Sequence, residues 1–354
     1  MSKVSIVVPM YNSEDYLDDC LKTIQNQTYT DIEVLMMNDG SDDNTKNIAL
    51  KYSETDKRFK YFEHSNMGQG LSRNRGIALA EGDYIAFADS DDIVDFEMVS
   101  QLVDKITQTN TDVVAGEIIH ILLNGNKKVY RDYSSLRNKI VTEIEAEEFY
   151  RDYVFNGLYS PHPVAKLFKT SLLKENNIRF GDNKKMFAED RYFQLISLLY
   201  IKSISFIDRP VYYYIQRDES HSRTIQPDVI KKQLHMAHEY ETHGRSALTR
   251  QVSALVLFSG ITRQIRNIID SKSGYREFSN IINNYRKNSY FSNKLMDLYK
   301  FETYNLYLNK KRKYIILVVA YLEKMKLVKI SNVFMYFVQW VKIKKQKAFS
   351  NNNE

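Results

Sequence analysis

Acidic side chains are concentrated where an apolar segment of the sequence ends. Residues 84–92 are YIAFADSDD, so that three aspartates follow an apolar run with Ser90 between the first two. Residues i and i+2 of a strand share a face, so Asp89 and Asp91 are expected to present hard oxygen ligands together. This pattern suits a Mg²⁺ or Mn²⁺ ion whose shell is completed by substrate phosphates. A solvated acidic turn before a helix near Asp95 explains this segment equally well.

A second acidic pair lies further along the chain, in the segment KMFAEDRYF. Either Glu189 or Asp190 could accept a proton from an attacking hydroxyl group, which is the work of a general base. The pair could also simply favour a helix N-terminus through the helix dipole. Without further context, the second interpretation is the simpler one.

Three more polar segments contain side chains suited to binding a nucleotide. Asp39 follows a predicted strand and could accept a hydrogen bond from a uracil ring or from its own turn. Pro9 lacks the donor that a continuing strand needs, and the ring of Tyr11 could stack on a base or pack on its own domain. In the loop NMGQGLSRNRG, Arg73 could bind a diphosphate with two hydrogen bonds or lie on the surface.

The surrounding elements alternate between strands and helices. Apolar runs predict strands at residues 4–8, 32–37, 60–63, 83–88, 204–207 and 211–215, and helical spacing predicts helices at 17–24, 71–80, 145–155 and 189–200. The alternation favours an α/β fold with a mainly parallel sheet. Ligands of such sheets bind outside the carboxyl ends of the strands, which is where the polar clusters at 9–14, 38–43 and 89–92 lie.

The composition describes an ordinary globular protein with a basic C-terminal region. Residues 301–354 contain 11 Lys/Arg and 3 Asp/Glu, which leaves 39 against 41 in the first 300 residues. A basic footprint over the whole surface, as nucleic-acid binding would require, is therefore absent. Gly and Pro are rare after residue 226, so we predict an α/β domain over 1–225 and a helical domain over 226–354.

The cysteine content and the termini bear on where the protein acts. Cys20 is the single cysteine, which fits a reducing compartment such as the cytoplasm. We expect no signal peptide and no membrane span, because the apolar run at 314–322 is far shorter than the roughly 20 residues a span needs. Basic and aromatic residues flank apolar stretches at 310–347, which is typical of a helix on an anionic membrane face. A core-packed helix with solvated lysines is the alternative.

The order and spacing of these motifs resemble the family-2 inverting glycosyltransferases, which have the GT-A fold. The resemblance rests on VSIVVPMYN, NDGSDD and NMGQGLSRNRGIALAEGDYIAFADSDD and covers roughly residues 3–110. It implies a Rossmann-like domain that binds a UDP-sugar with Mn²⁺ or Mg²⁺. Processive relatives have a Gln-x-x-Arg-Trp motif, whereas the only tryptophan here is Trp340, so the resemblance implies a non-processive enzyme.

The resemblance also implies roles for individual residues of the nucleotide site. Residues of four segments match its positions: Pro9, Tyr11 and Glu14 along the uridine, Asp39 at the uracil, Asn66 and Arg73 beside the ribose and diphosphate, and Asp89 with Ser90 by the ribose.

The remaining implied roles concern the metal and the base. Asp91 matches the direct metal ligand, with Asp89 as its companion. Asp190, preceded by Glu189, matches the general base. His221 lies in a loop that in many relatives closes over the diphosphate, and it is a candidate third metal ligand; a mobile surface loop is an equally good interpretation.

Together these features predict transfer of one hexose or N-acetylhexosamine, with inversion, to a glycan, lipid-linked or protein-linked acceptor. We expect a cytoplasmic enzyme, peripheral on the inner face of the cell membrane, that binds no nucleic acid; a homo-oligomer is left open. The alternative is a catalytically silent nucleotide-sugar-binding partner of another glycosyltransferase. Such a partner would be expected to lose Asp91 or Asp190, and this chain keeps both.

Overall fold

The chain is analysed as a computed structural model, which describes residues 2–131, 133–136, 139–142, 149, 159–217, 228–244, 246–271, 274–298 and 310–351. It divides into two compact units. One comprises Met1–Lys184 and Ala188–His221, and the other comprises Lys185–Phe187 and Ser222–Glu354. We refer to them as the sheet unit and the helical unit.

The sheet unit alternates strands and helices along most of its length. Its strands are β1 Val4–Met10, β2 Ile32–Asn38, β3 Phe59–Glu63, β4 Tyr84–Phe87, β5 Ile93–Val94, β6 Val113–Ile121, β7 Lys127–Arg131, β8 Ile140–Val141, β9 Lys166–Lys169 and β10 Ile204–Ile215. Its helices are α1 Leu17–Gln25, α2 Thr45–Thr55, α3 Gln69–Leu79, α4 Met98–Thr109, α5 Thr170–Glu175 and α6 Glu189–Ser197, with a short 3-10 helix at Ser134–Leu136.

The strands form one mixed sheet in the order β3-β2-β1-β4-β9-β6-β10-β5, with β7 beside β6 and β8 beside β10. Strands β1 to β4 are parallel, and β9 enters antiparallel between β4 and β6. The predicted α/β fold is confirmed. Strand β9 was not predicted, because its four residues, two apolar residues between two lysines, give no alternating pattern.

Burial on both faces of the sheet explains why its first strands are continuous apolar runs. Every residue of β1 and β2 is buried. One face packs against α1 and α4 in a single core. On the other face the rings of Phe87 and Phe168 each lie with their centroids 5.6 Å from that of Phe193 on α6. These ring contacts fix the position of α6, whose first turn carries Glu189 and Asp190.

The prediction that Pro9 ends the first strand is wrong, because β1 continues to Met10. The pairing of β1 with β4 stops at Val7 and Phe87. The carbonyl of Val7 faces β4, where it accepts from Ala88 N at 3.1 Å. Pro9 faces the same side, beyond the end of that ladder, so its missing N–H interrupts no strand pairing.

Two other boundaries differ from prediction. The strands predicted at 204–207 and 211–215 form the single strand β10, whose pairing with β6 shifts register on either side of Pro210. The shift accommodates the polar residues that suggested a break. The helix predicted near Asp95 begins at Met98, after the short strand β5. Apart from Phe149, the helix predicted at 145–155 lies outside the described residues.

The described residues of the helical unit form α7 Val229–Thr242, α8 Ala247–Asp270, α9 Tyr275–Tyr285, α10 Ser289–Asp297, α11 Lys310–Lys324 and α12 Val328–Asn351. Helix α8 packs against α7, α9, α10 and α12, and its apolar residues form the centre of a separate core. The predicted helical C-terminal region is therefore confirmed. In the described part of the chain, each helix is too short or too polar to cross a membrane.

Candidate functional site

The acidic segment after β4 is tied to β10 by its innermost carboxylate. Asp92 is buried; its Oδ2 accepts from the Tyr212 hydroxyl at 2.9 Å, and its Oδ1 accepts from Ile215 N at 2.9 Å. The same hydroxyl oxygen accepts from Asp89 N at 3.0 Å. The tyrosine therefore holds both ends of residues 89–92, which we call the acidic turn. Asp92 acts as its structural anchor.

Asp91 projects away from this anchor and has few partners. Its side chain is 47% exposed, and the nearest cation is Arg217, whose Nε lies 3.8 Å from Oδ2. Partial burial and the neighbouring charge of Asp89 raise the pKa of Asp91. A carboxylate with unused lone pairs beside a second acid fits a hard divalent cation, which needs one or two carboxylates when phosphates supply further ligands.

The described residues contain no group of three or more His, Cys, Asp or Glu side chains able to enclose a metal ion. The predicted third ligand, His221, lies outside the described residues. An ion bound at Asp91 would therefore need further ligands besides the described side chains to complete its coordination shell. Phosphate oxygens of a bound diphosphate are suited to that purpose.

Arg73 is buried between the two acidic pairs. Its Nη2 donates to Asp89 Oδ1 at 2.6 Å, and its Nη1 donates to Glu189 Oε1 at 3.3 Å. Its guanidinium carbon lies 5.1 Å from the centre of the Phe180 ring. The surface position considered for Arg73 is therefore wrong. Its predicted contact with a diphosphate stays a prediction, and its observed partners are two carboxylates from segments far apart in the sequence.

A glycine on α3 makes room for the second acidic pair. Gly70 N donates to Asn183 Oδ1 at 2.7 Å. A Cβ at position 70 would lie 2.3 Å from the carbonyl oxygen of Gly181 and 2.8 Å from Glu189 Cγ. Any larger residue would displace the backbone or Glu189, so the close approach of α3 to the start of α6 requires glycine at this position.

The two acids at the start of α6 have opposite electrostatic environments. Glu189 is buried, and burial together with the adjacent Asp190 raises its pKa. Burial also raises the pKa of Asp190, but the hydrogen bond and charge of His162 and the charge of Arg73 outweigh this effect and lower it. Asp190 Oδ2 lies 3.2 Å from His162 Nδ1. The pKa values of the two neighbouring acids are thus shifted in opposite directions: Glu189 is more easily protonated, and Asp190 is more readily ionised. In active sites such opposite shifts distinguish the acid from the base.

Asp39 organises the loop that precedes α3. Its two carboxylate oxygens accept from Met67 N at 2.7 Å and from Gly68 N at 2.8 Å. His64 Nε2 lies 3.3 Å from the same carboxylate. The alternative that Asp39 bonds its own turn is wrong, since its partners lie in another loop. Oδ2 accepts only from Gly68 N among these contacts and retains a second lone pair, so the predicted contact with a uracil ring stays open.

The loop between β1 and α1, residues 11–16, exposes part of one aromatic ring, and two of its other side chains form hydrogen bonds with neighbouring segments. Tyr11 is 47% exposed, so part of its ring is open to a ligand, and both interpretations of this residue stay open. Ser13 Oγ lies 2.9 Å from Ser90 Oγ, which joins this loop to the acidic turn. Glu14 Oε2 accepts from Asn44 N at 2.9 Å, so its carboxylate also supports the start of α2.

The structure brings most of the predicted residues to the carboxyl edge of the sheet. Pro9 is buried there at the end of β1, whereas Asn66 is exposed, with its carbonyl accepting from Lys184 Nζ at 3.1 Å. Sequence reasoning did not identify three side chains that hold the acids, Tyr212, Asn183 and His162. It also did not predict that Asp92 anchors the turn or that Arg217 lies beside Asp91. A polar residue in a segment without periodicity, as in SPHPV, was the only available signal for His162.

The chain is similar to known proteins over much of its length. The chain matches the model of glycosyl transferase family 2 over residues 5–175. It is 30% identical to the putative glycosyltransferase EpsH of Bacillus subtilis over 60% of this chain and 60% of EpsH. It is 33% identical to glycosyltransferase GlyG of Streptococcus pneumoniae over 62% of this chain and 73% of GlyG. The match to the pneumococcal GlyA spans only 32% of that protein's length.

Solved structures give a likeness over nearly the whole chain. TarS of Staphylococcus aureus, residues 1–349 in complex with UDP, aligns with a TM-score of 0.64 at 23% identity. The alignment covers 97% of this chain and 92% of that chain. At this identity the likeness concerns the fold.

Proposed function

Since the chain belongs to glycosyl transferase family 2, we propose that it transfers a single hexose or N-acetylhexosamine from a UDP-sugar to a glycan or glycoconjugate acceptor, with inversion. The observation that carries this proposal is the pairing of two acidic groups across one buried arginine. Arg73 joins Asp89, beside the candidate metal ligand, to Glu189, beside the candidate base. One side is suited to a departing diphosphate and the other to an attacking hydroxyl group.

The donor half of the proposal rests on the first two loops and the acidic turn. The exposed ring of Tyr11 is available to stack on uracil, and Asp39 has lone pairs for its N3–H. Asn66 and Glu14 would border the nucleoside, with Ser90 and Asp89 nearest the ribose. TarS, which shares the fold, is known in complex with UDP and with UDP-GlcNAc, and this supports a UDP-sugar as the donor class.

The half-exposed carboxylate of Asp91, together with Asp89, would hold Mn²⁺ or Mg²⁺. The bound ion would offset the negative charge that develops on the departing UDP. Arg217 lies next to Asp91 and donates from Nη2 to its carbonyl at 2.5 Å, so its guanidinium is also available to the diphosphate. His221 remains a proposed further ligand.

Asp190 is proposed as the general base. The acceptor oxygen attacks the anomeric carbon from the side opposite the diphosphate, forming the new C–O bond as the bond to UDP breaks. The hydroxyl proton passes to Asp190, whose lowered pKa keeps it ionised at neutral pH. Glu189, whose pKa is raised, pairs with Arg73 and so supports the first turn of α6, which carries Asp190. Two relatives are named as poly(ribitol-phosphate) transferases, which supports a polyhydroxylated acceptor.

A calorimetric titration with UDP and Mn²⁺, followed by a screen of UDP-sugars for UDP release, tests this function. The unaltered protein should bind UDP in a Mn²⁺-dependent manner and release UDP from one donor. Asp91→Asn is the matched control: it keeps size and polarity, and it should lose the Mn²⁺-dependent part of binding. Folded protein that gives no heat with UDP and Mn²⁺ would overturn the proposal.

We also propose that α12 binds an anionic membrane on the cytoplasmic side. Met335 is buried against the helical core, whereas Ile330, Val333 and Phe337 are exposed at helical spacing, with Trp340 one turn further on. Residues 310–351 contain 11 Lys/Arg and 1 Glu, and Lys329 is exposed beside the apolar stripe. An apolar face beside cationic residues is complementary to acidic lipid headgroups and the underlying acyl chains.

Vesicle flotation with the full chain tests this surface. The protein should bind phosphatidylglycerol vesicles more strongly than phosphatidylcholine vesicles, and Val333→Asp with Phe337→Asp should weaken that binding. Leu123→Asp, at an exposed leucine of the sheet unit, is the control and should bind as the parent does. Equal binding by the α12 variant would rule the surface out.

A further inference from the structure

We infer that His162 is a positioning residue for the proposed base: its Nδ1–H orients the Asp190 carboxylate so that one oxygen faces the acceptor hydroxyl. The inference rests on the proposed function and names a residue that the sequence motifs do not include. It concerns a side chain that donates to the base rather than one that contacts substrate.

The carboxylate is held at both oxygens. Asp190 Oδ2 lies 3.2 Å from His162 Nδ1, and Oδ1 accepts from Arg191 N at 2.7 Å. Each oxygen has two lone pairs, so one on each remains for a substrate. The Asp190 side chain is 23% exposed and that of His162 is 39% exposed, so the pair is open to solvent on one side and fixed on the other.

The backbone of His162 is fixed independently of its ring. Its N–H donates to Ser160 Oγ at 3.2 Å. Its carbonyl oxygen accepts from Lys166 Nζ and, at 3.3 Å, from Gln194 Nε2. Gln194 lies four residues after Asp190, one turn along α6, so the same helix carries both the acid and a side chain that holds its partner. A solvated surface histidine would not have this support.

The ring of His162 also ends a row of aromatic side chains. The Tyr130 centroid lies 5.6 Å from that of His162, and His120 stacks on Tyr130 at 4.1 Å. Tyr214 lies 4.7 Å from His120. These three rings come from β7, β6 and β10, so the sheet itself restricts the orientation of the imidazole.

The contact specifies where protons must be. For Nδ1 to donate to an ionised carboxylate, it must carry a hydrogen, which leaves Nε2 of a neutral ring as an acceptor. In the described part of the chain, charged side chains near the pair include Glu189 beside Asp190 on α6, Arg73 on α3 and the buried Lys166 on β9, which donates to the carbonyl of His162. Removing His162 takes away a favourable interaction with the charged form of Asp190, so the carboxylate should protonate at higher pH.

The test compares the pH profile of kcat for the parent, His162→Ala and His162→Asn, with a UDP-sugar and acceptor that the parent uses. His162→Ala should lower kcat about ten- to a hundredfold, the range seen when hydrogen-bonded partners that orient a functional ligand are removed. It should leave KM for the UDP-sugar unchanged and move the acidic limb upward in pH. His162→Asn should recover much of kcat, because its amide nitrogen can occupy the place of Nδ1.

The remaining outcomes each decide the question. His235→Ala, the same substitution in the helical unit, should leave the profile unchanged. If His162→Ala has the parent's kcat and acidic limb while Asp190→Asn is inactive, the inference is wrong and the proposed function stands. If His162→Ala does not fold, His162→Asn decides the question. A folded Asn variant that recovers much of kcat supports the inference, and a folded Asn variant whose kcat is about ten- to a hundredfold below that of the parent overturns it. Loss of activity in Asp190→Asn is required for either conclusion, and parent-like activity there would contradict the proposed function instead.

Discussion

The two ends of the sheet treat buried carboxylates in opposite ways. At the amino end of β2, Glu33 is almost fully buried, yet each oxygen is paired. Its Oε1 accepts from Ser5 Oγ at 2.6 Å and from Glu81 N at 2.7 Å, and its Oε2 accepts from Lys60 Nζ at 2.7 Å. Burial raises the pKa of Glu33, but these donors together lower it to about 2.

At the carboxyl end the acids outnumber the described cations that contact them. In the described residues, the groups that form ion pairs with the acids of the candidate site are Arg73, Arg217, His162 and His64. The pKa of Asp91 is raised by burial and by Asp89, and burial and Asp89 likewise raise that of Asp92.

Glu33 and Asp91 therefore affect the stability of the folded state in opposite directions. A carboxylate with a lowered pKa stabilises the folded state when ionised, whereas one with a raised pKa destabilises it. Proteins retain carboxylates with unfavourably shifted pKa values mainly where a ligand or a reaction uses them. Glu33, at the amino end of β2, and Asp91, after the carboxyl end of β4, are thus carboxylates in opposite electrostatic environments at opposite edges of the sheet.

The largest expected effect is on catalysis at the carboxyl end. Asp190→Asn should reduce sugar transfer about 10²- to 10⁴-fold, the contribution of a general base, while UDP binding stays intact. Asp91→Asn should raise the melting temperature slightly because it removes an unfavourable charge, whereas Asp190→Asn should lower it because the pKa of Asp190 is lowered in the folded state. Turnover and thermal unfolding measured on the same samples check this. A large drop in the melting temperature of Asp91→Asn would break the comparison.

The next effect is on stability at the amino end. Glu33→Gln should lower the free energy of unfolding at neutral pH by about 3 kcal/mol, the equivalent of its pKa shift, and leave UDP binding unchanged. The folded-state pKa lies below the unfolded one, so the stabilisation is complete above about pH 4.5 and is lost as the pH falls towards 2. Urea unfolding of parent and variant at several pH values should converge in acid; parallel curves would contradict the assignment.

The smallest effect concerns a partner of Glu33. Lys60 is 35% exposed along its side chain, so solvent screens its charge. Lys60→Met should therefore cost about 1 kcal/mol or less, and the difference should shrink in high salt. Urea unfolding at low and high ionic strength measures it. A cost equal to that of Glu33→Gln would mean that the lysine alone, rather than the set of donors, holds the carboxylate.

Sequence patterns predicted the positions of Asp39 and Asp91 well because strand ends could be located. Buried parallel strands are continuous apolar runs, and the polar residues after them must lie at one edge. The partners of those acids could not be predicted in this way. Arg73 meets Glu189 across 116 residues, and His162 meets Asp190 from a segment without periodicity; both contacts depend on how α6 packs.

The C-terminal helices illustrate a second limit. Their helical nature follows from composition, but α12 is apolar on much of its circumference. The sequence therefore could not decide that Met335 is buried and Phe337 exposed. Packing against α8 and α9 makes that choice.

The single thiol offers a spectroscopic handle on the acidic turn. Cys20 is fully buried on α1, and its Sγ donates to the carbonyl oxygen of Asp89 at 3.3 Å. A maleimide dye can react with that sulfur only after the segment that contains Asp89 has moved away from it. The labelling rate therefore reports how often the acidic turn opens. Nucleotide and metal bound at the turn should slow that rate, which makes occupancy visible without any engineered probe.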